Sequence, residues 1–414
     1  MQERRLSFVV VFFLLIFRLP AGLCSEQLTL SSALDKISQH PLAKIDQLDL
    51  KKAEETIAQA RSRLFPSLEL ADTQTSPRSL KDFDNEVFST TANLNLLNAF
   101  RDTLAIKSAK LQGEEQKQIY IALKIKRQLN VSELFFECLH AKKSVELAKK
   151  AYEGSLGIAK IAKKRFERGT NSQDDFLKLQ VEADSLSVRW LNEQEKHDLC
   201  LASLSYWVGN FSELVDPNIV GKLKPSSTSP ELHPNVIAAQ QSLKLAEIAK
   251  RSVTLKYFLN PRVDLTYSDL HDKTTSTQSG TWLLTAKLDI FSSTGSYKDI
   301  PLAMIDVQKA NENLNNVKRS VIKSQISERH SLQKSLAQYL ILEKNLETIK
   351  KSFRTSLRRF QAGAITANDV AQDQARVISA TFAVNDMWLK KYQSWLKHLA
   401  SLGQEISAFL PSKN

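Results

Sequence analysis

Glycine and proline are scarce, with eleven of each in 414 residues, where ordinary usage is about 7% and about 5%. Both interrupt helices, so their scarcity excludes a fold made of many tight turns and leaves room for long unbroken helices. Cysteine is scarcer still, with three in the chain. That excludes a disulfide-dense small scaffold, and no zinc-ligand spacing is present. The one marked apolar run, Leu6 to Phe17, is short, and no later stretch is apolar enough for a transmembrane helix. A nucleotide-binding glycine loop and a nucleophile elbow are both missing, so no enzyme activity and no cofactor are expected. The formal charge of +12 raises nucleic acid as a partner. However, Lys and Arg are interspersed with Glu and Asp and form no basic block, so no nucleic-acid partner is expected. A solvated helical surface, with attraction to anionic lipid, accounts for the charge.

Residues 1–24 read as a signal peptide. Arg4 and Arg5 precede the run Leu6 to Phe17, and small residues follow near Ala21 and Gly22. Cleavage is expected after Cys24. The alternative is acylation of Cys24, for which Leu23 is a poor preceding residue. Cys138 and Cys200 fall inside apolar helical stretches and are expected to be buried packing residues rather than a disulfide. If the exported chain meets a membrane, it must do so through strands.

Two stretches, Ala99–Phe166 and Ser293–Phe360, each read as one helix of more than sixty residues, about 100 Å long at 1.5 Å per residue. A helix of that length cannot wrap around a compact core and must lie against other long helices. In the second stretch apolar residues fall at Leu332, Leu336, Tyr339, Leu342, Leu346, Ile349, Phe353, Leu357 and Phe360. Steps of three and four make a coiled-coil seam.

From Ser25 the pattern predicts a helix, a strand pair, a long helix, a turn and a helix, and then the same plan again. The first helix is expected over Ser32–Leu64, capped by Ser31 or Ser32. Strands follow over Ser67–Thr75 and Val87–Leu97, then the long helix, a turn at Arg168–Asn171, and a helix over Gln173–Val208 stopped by Gly209. His40-Pro41 recurs as His233-Pro234, both read as helix-start features. A single offset of 194 carries Phe88, Ala92, Leu94 and Leu96 onto Trp282, Ala286, Leu288 and Ile290. The same offset carries Phe166 onto Phe360, Gly169 onto Gly363, Asp175 onto Asp369 and Gly209 onto Gly403. One register over more than a hundred residues is an internal duplication. The expected organisation is a first repeat over 25–211, a linker over 212–230 and a second repeat over 231–410.

On the strand Thr281–Ile290, Trp282, Leu284, Ala286, Leu288 and Ile290 face one side, while Thr285, Lys287 and Asp289 face the other. Phe88, Ala92, Leu94 and Leu96 alternate in the same way. One apolar and one polar face over about ten residues suits a membrane-spanning barrel strand. Trp282 and Phe88 are expected at the end of the apolar face, where aromatic rings favour the membrane interface. Four strands cannot close around a lumen, whereas three chains would supply twelve. The competing reading is an exported periplasmic coiled-coil scaffold with a small soluble sheet and no channel activity.

The ordered set of features resembles the TolC family of outer-membrane efflux and secretion channels. It comprises His-Pro opening each repeat, Pro66 and Pro261 entering the strands, and the strand exits Leu94-Asn95-Leu96-Leu97 and Leu288-Asp289-Ile290-Phe291. Its most specific members are the turns Phe166-Glu167-Arg168-Gly169-Thr170 and Phe360-Gln361-Ala362-Gly363-Ala364. The resemblance implies a mainly α fold with a small β part: a homotrimer whose twelve-stranded transmembrane β-barrel, embedded in outer-membrane lipid, continues into a long periplasmic α-barrel. It implies a passive exit duct working with a periplasmic adaptor protein and an inner-membrane transporter. The helix tips Gly169, Thr170, Gly363 and Ala364 would dock the adaptor. Asp369 matches an acidic residue that rings the family's periplasmic aperture. The second such position is Gln372 here, with Asp373 beside it.

Overall fold

The computed structural model describes residues 27–65, 67–74, 86–95, 99–169, 172–217, 227–258, 261–272, 277–288 and 298–409. The leader with Cys24, and Leu96, Thr170 and Ile290, lie outside them. In chain order the elements are β1 (Gln27–Leu28), α1 (Leu30–Ile37), α2 (Pro41–Ser62), β2 (Ser67–Gln74), β3 (Glu86–Asn95), α3 (Ala99–Glu167), α4 (Gln173–Val208) and β4 (Glu213–Leu214). The second half contains α5 (Pro234–Phe258), β5 (Pro261–Asp272), β6 (Thr277–Leu288), α6 (Asp299–Gln361) and α7 (Ala367–Ser401). Short 3-10 turns at Pro230–Leu232 and Ile406–Phe409 frame the second repeat.

Strand β6 begins at Thr277, ahead of the expected Thr281, and the first expected helix differs in two respects. The first helix is two helices, because Pro41 lacks an N–H and holds His40 in an extended conformation, ψ 143°. Its cap is Thr29 rather than Ser31 or Ser32. Ser32 is instead the third helical residue and completes a capping box with Thr29. His40 and His233 are helix N-caps in the same register: Nδ1 of each accepts a backbone N–H two residues on, from Leu42 at 3.3 Å and from Asn235 at 3.2 Å.

The helices lie side by side rather than around a centre. Along the strand-proximal half the order is α2-α3-α5-α6, and along the far half α4-α3-α7-α6. The strands follow the same plan, β2-β3-β5-β6, all antiparallel. The long helices α3 and α6 run through both halves. Every residue of the predicted α6 seam is buried or half-buried, with Leu332 and Phe360 fully enclosed.

The largest core lies midway along the rods. There Phe135, Phe136, Leu204, Tyr392, Trp395, Leu396 and Leu399 close around α1 and the short β1·β4 pair, and Phe136 stacks on Tyr392 at 4.5 Å. Cys138 and Cys200 are joined in this core by a disulfide, with Cα atoms 5.4 Å apart, which corrects the expectation of two unpaired cysteines. The cause is the hairpin. Cys138 lies 31 residues before Gly169 and Cys200 lies 31 after it, so an antiparallel α3·α4 pair turning at Gly169 brings them level. Replacing both by Ala should destabilise the α3·α4 hairpin by about 4 kcal/mol, the chain-entropy value for a loop of this length. Denaturant midpoints of the helical signal, with and without reductant, check this.

His233 supplies a second test. Burial pushes its pKa below the usual 6.5, against the opposing pull of a hydrogen bond to the Ala400 backbone. The fold thus favours the neutral imidazole. Its contribution is complete above about pH 6.5 and is lost as pH falls toward the lowered folded-state value. His233→Asn keeps a capping acceptor and should flatten the loss of thermal stability between about pH 7.5 and 5. Equal slopes for the two proteins would overturn this assignment.

Candidate functional site

The residues singled out in the strands and turns fall at the two ends of the rods. At the strand end, directly opposed residues of an antiparallel ladder share a face, so the register assigns faces row by row. Leu68, Ala92, Tyr267 and Trp282 form one row, and Leu94, Leu265 and Leu284 the next on the same face. Val263 opposite Ala286 and Pro261 opposite Leu288 continue it. From Trp282 to Leu288 the band runs about 20 Å along the strand. The other face reads Glu69, Thr91, Ser268 and Thr281, with Asn95, Asp264 and Thr285 below. Apolar residues also fall on this polar face: Leu283 beside Thr266, Leu270 between Ser89 and Ser279, and Val87 beside Asp272.

In the single chain Trp282 is 68% exposed and Leu284 64%. Among the described residues, no element of the chain covers this face of β6. Tyr267 packs against Trp282 with ring centroids 4.7 Å apart and planes tilted by 46°, and it lies over Gly280, where a Cβ would come within 2.8 Å of its hydroxyl. The two aromatic rings thus stand at the limit of the apolar band. Phe88 pairs with His271 and Asp72, two rows beyond Trp282. Because β3 and β6 are repeat equivalents, a shift of four residues across two strands is the stagger that tilted strands need to close a barrel.

At the opposite end, α3 and α6 stop at Gly169 and Gly363, with φ of 74° and 83°. At the second turn Ala364 N–H donates to Arg359 O at 2.9 Å and Gly363 N–H to Phe360 O at 3.0 Å. This Schellman arrangement requires the left-handed conformation that glycine adopts without strain. The two tips lie together. Arg165 Nη1 donates to Phe360 O at 2.7 Å, and its guanidinium stands over the Phe360 ring. Beneath them Ile158, Ala159, Ala162, Leu179, Phe360, Ala367 and Val370 form a small core. Nothing in the sequence pattern singled out Arg165, because the bond joins two repeats. Gly169, Gly363 and Ala364 are all exposed.

Of the three aperture candidates, Asp369 closes a capping box. Its carboxylate accepts from Thr366 Oγ1 at 2.7 Å and Thr366 N at 3.0 Å, and its own N–H donates to Thr366 Oγ1 at 3.2 Å. The Thr366 hydroxyl and N–H hold its pKa below the usual carboxylate range. The carboxylate is therefore an anion at neutral pH and remains exposed. Gln372 is also exposed. Asp373 is occupied otherwise: it accepts from Ser356 Oγ at 2.5 Å and pairs with Arg376 at 3.1 Å. Among the described residues, no His, Cys, Asp and Glu group has metal-binding geometry, and no helix is long and apolar enough to cross a membrane.

This architecture has known counterparts. The sequence profile of the outer membrane efflux protein family matches residues 38–204 and 231–404, one segment in each repeat. A search of curated proteins finds no match. Among solved structures, the CusC channel superposes with a TM-score of 0.79 at 14% identity, covering 91% of this chain and 92% of that one. The CmeC outer membrane channel of Campylobacter jejuni gives 0.76 at 15% identity, over 93% and 86%. The outer membrane protein VceC of Vibrio cholerae gives 0.76 at 16%, over 91% and 96%. At these identities the likeness is one of fold.

Proposed function

The chain belongs to the outer membrane efflux protein family, and on that footing we propose that three copies close into a passive exit duct of a tripartite efflux or type I secretion system. It is an outer-membrane protein with a long helical extension into the periplasm. The observation that carries the assembly is the coincidence of edges. The sheet ends in β2 and β6, the near helical layer in α2 and α6, and the far layer in α4 and α6. Every layer is therefore open at the same two sides. Exposed apolar side chains cluster on those edge helices, including Ile45, Leu48, Val181, Val188, Ile305 and Ile341. Repetition around an axis closes all three layers at once, and four strands per chain make twelve in a trimer.

In this reading Phe88, Ala92, Leu94, Leu96, Trp282, Leu284, Ala286, Leu288 and Ile290 face lipid. The tips at Gly169, Thr170, Gly363 and Ala364 dock a periplasmic adaptor, which joins the duct to an inner-membrane transporter. Asp369 places one carboxylate per copy at the aperture, where a ring of negative charge favours cations. Gln372 lies beside it, and Asp373 supports the helix start.

The assembled protein should sediment in detergent as three copies, migrate heat-modifiably and conduct in planar bilayers. A folded, stable monomer in detergent-free buffer would overturn the reading. Leu284→Arg, on the lipid side, should destabilise the folded protein in bilayers by about 2–4 kcal/mol, while Thr285→Arg, on the polar face, should be tolerated. Ala364→Trp enlarges an exposed tip without touching a glycine. It should leave conductance intact and abolish efflux in cells, whereas undiminished efflux would remove the docking assignment. In the same recordings Asp369→Asn should reduce cation selectivity, and an unchanged reversal potential would exclude it from the aperture.

A further inference from the structure

The free edges of the far helical layer are complementary. Helix α4 turns Leu179, Ala183, Leu186 and Leu204 into the chain. On its opposite side Leu177, Val181, Val188 and Leu191 make a second heptad-spaced row, with Val181 67%, Val188 56% and Leu191 58% exposed. Asp184 and Glu195 occupy the positions that continue this row, and α4 as a whole carries seven acidic residues against three Lys and Arg. The other edge is the far part of α6, residues 331–361, with seven Lys and Arg against two acidic residues. Facing away from its seam with α7, it presents Lys334, Ile341 and Lys344, all exposed. Among the described residues, Asp184, Glu195, Lys334 and Lys344 have no ion pair within the chain.

The internal duplication supplies the register in which these edges meet. Inside the chain α3 packs against α7, through His140–Asp386 at 2.9 Å, Ser144–Asn385 at 2.8 Å and Glu137–Gln393 at 2.9 Å. The 194-residue offset carries α3 onto α6 and α4 onto α7. Applied to that joint, it turns His140–Asp386 into Lys334–Asn192 and Ser144–Asn385 into Gln338–Leu191, an α6·α4 joint that a single chain cannot make. A rotation about the barrel axis preserves height, so the next copy offers its α4 at the level where α6 needs it.

We propose that α4 of one copy docks on α6 of the next in this register, with Asp184 opposite Lys344, Val188 opposite Ile341 and Glu195 opposite Lys334. The occupant of each edge is thus a second copy of this chain, joined head to tail. An acidic edge does not pair with itself, so the contact propagates in one direction and closes as a ring rather than as a two-fold dimer. The proposal rests on the ring reading above and adds its residue-level pairing.

The test uses the full chain extracted in detergent, with wild type sedimented alongside. Under mild oxidation Val188→Cys/Ile341→Cys should form crosslinked dimers and trimers, while Val188→Cys/Lys334→Cys, one heptad away, should stay uncrosslinked. Asp184→Lys and Lys344→Asp should each reduce the trimer fraction, and the double exchange should restore it. A trimeric wild type that crosslinks only through the control pair, or a double exchange no better than either single one, overturns the register and leaves the ring intact. A monomeric wild type removes both.

Discussion

Peptide groups on the open side of a strand have no partner in hydrocarbon, and a single copy of this chain leaves two such sides, on β2 and on β6. A four-stranded sheet with a broad apolar face can neither curl into a closed barrel alone nor rest flat in a membrane with its edges bare. Closure with further copies is the one arrangement that satisfies every N–H and C=O at once. The near helical layer inherits this requirement, because its edge helices continue the edge strands: α2 leads into β2, and α6 follows β6. Edge elements of the sheet thus become edge elements of the near helical layer.

The helical part meets the constraint with side chains rather than backbone. Helices satisfy their own peptide groups, so an open helical edge is tolerated in water where an open strand edge in lipid is not. What the helical edges expose is apolar surface and unpaired charge, each a modest and salt-sensitive force. Strength is therefore built within the copy. The midpoint core around Phe136, Tyr392 and Trp395, together with the Cys138–Cys200 bond, holds α3, α4 and α7 as one body. Arg165 then fastens the two tips where the helices are farthest from any sheet.

At the tips, the bonds that hold one residue in place also fix its charge. Asp369 is the third helical residue of α7 and completes a cap with Thr366. The hydrogen bonds that cap the helix also keep the carboxylate ionised. A structural carboxylate and a charge at an aperture are thus compatible in the same atoms. Asp373, four residues on, is drawn instead into Ser356 and Arg376.

Much of this was legible in the residue order. Helix periodicity placed α4 at its observed bounds, alternation found β3 within two residues at either end, and the 194-residue offset revealed two repeats. Periodicity and alternation are local, and a duplication needs only the sequence compared with itself. Contacts between distant segments were not legible. The Cys138–Cys200 bond was misread because neither cysteine's surroundings in sequence include the other. Their equal distance from the expected turn at Gly169 was the signal that could have found it, once the two flanking helices are packed antiparallel. His40-Pro41 was read as a helix start, yet one helix was carried through it because the apolar pattern continues across, while Pro41 acts on backbone hydrogen bonding. By itself the sequence determined the elements, their repetition and the two-faced strands, since each depends on residues within a few turns of one another. Tertiary structure alone decided which helices neighbour which, that all the open edges fall on the same two sides, and that Arg165 reaches Phe360. Those depend on where a chain about a hundred ångströms long returns in space.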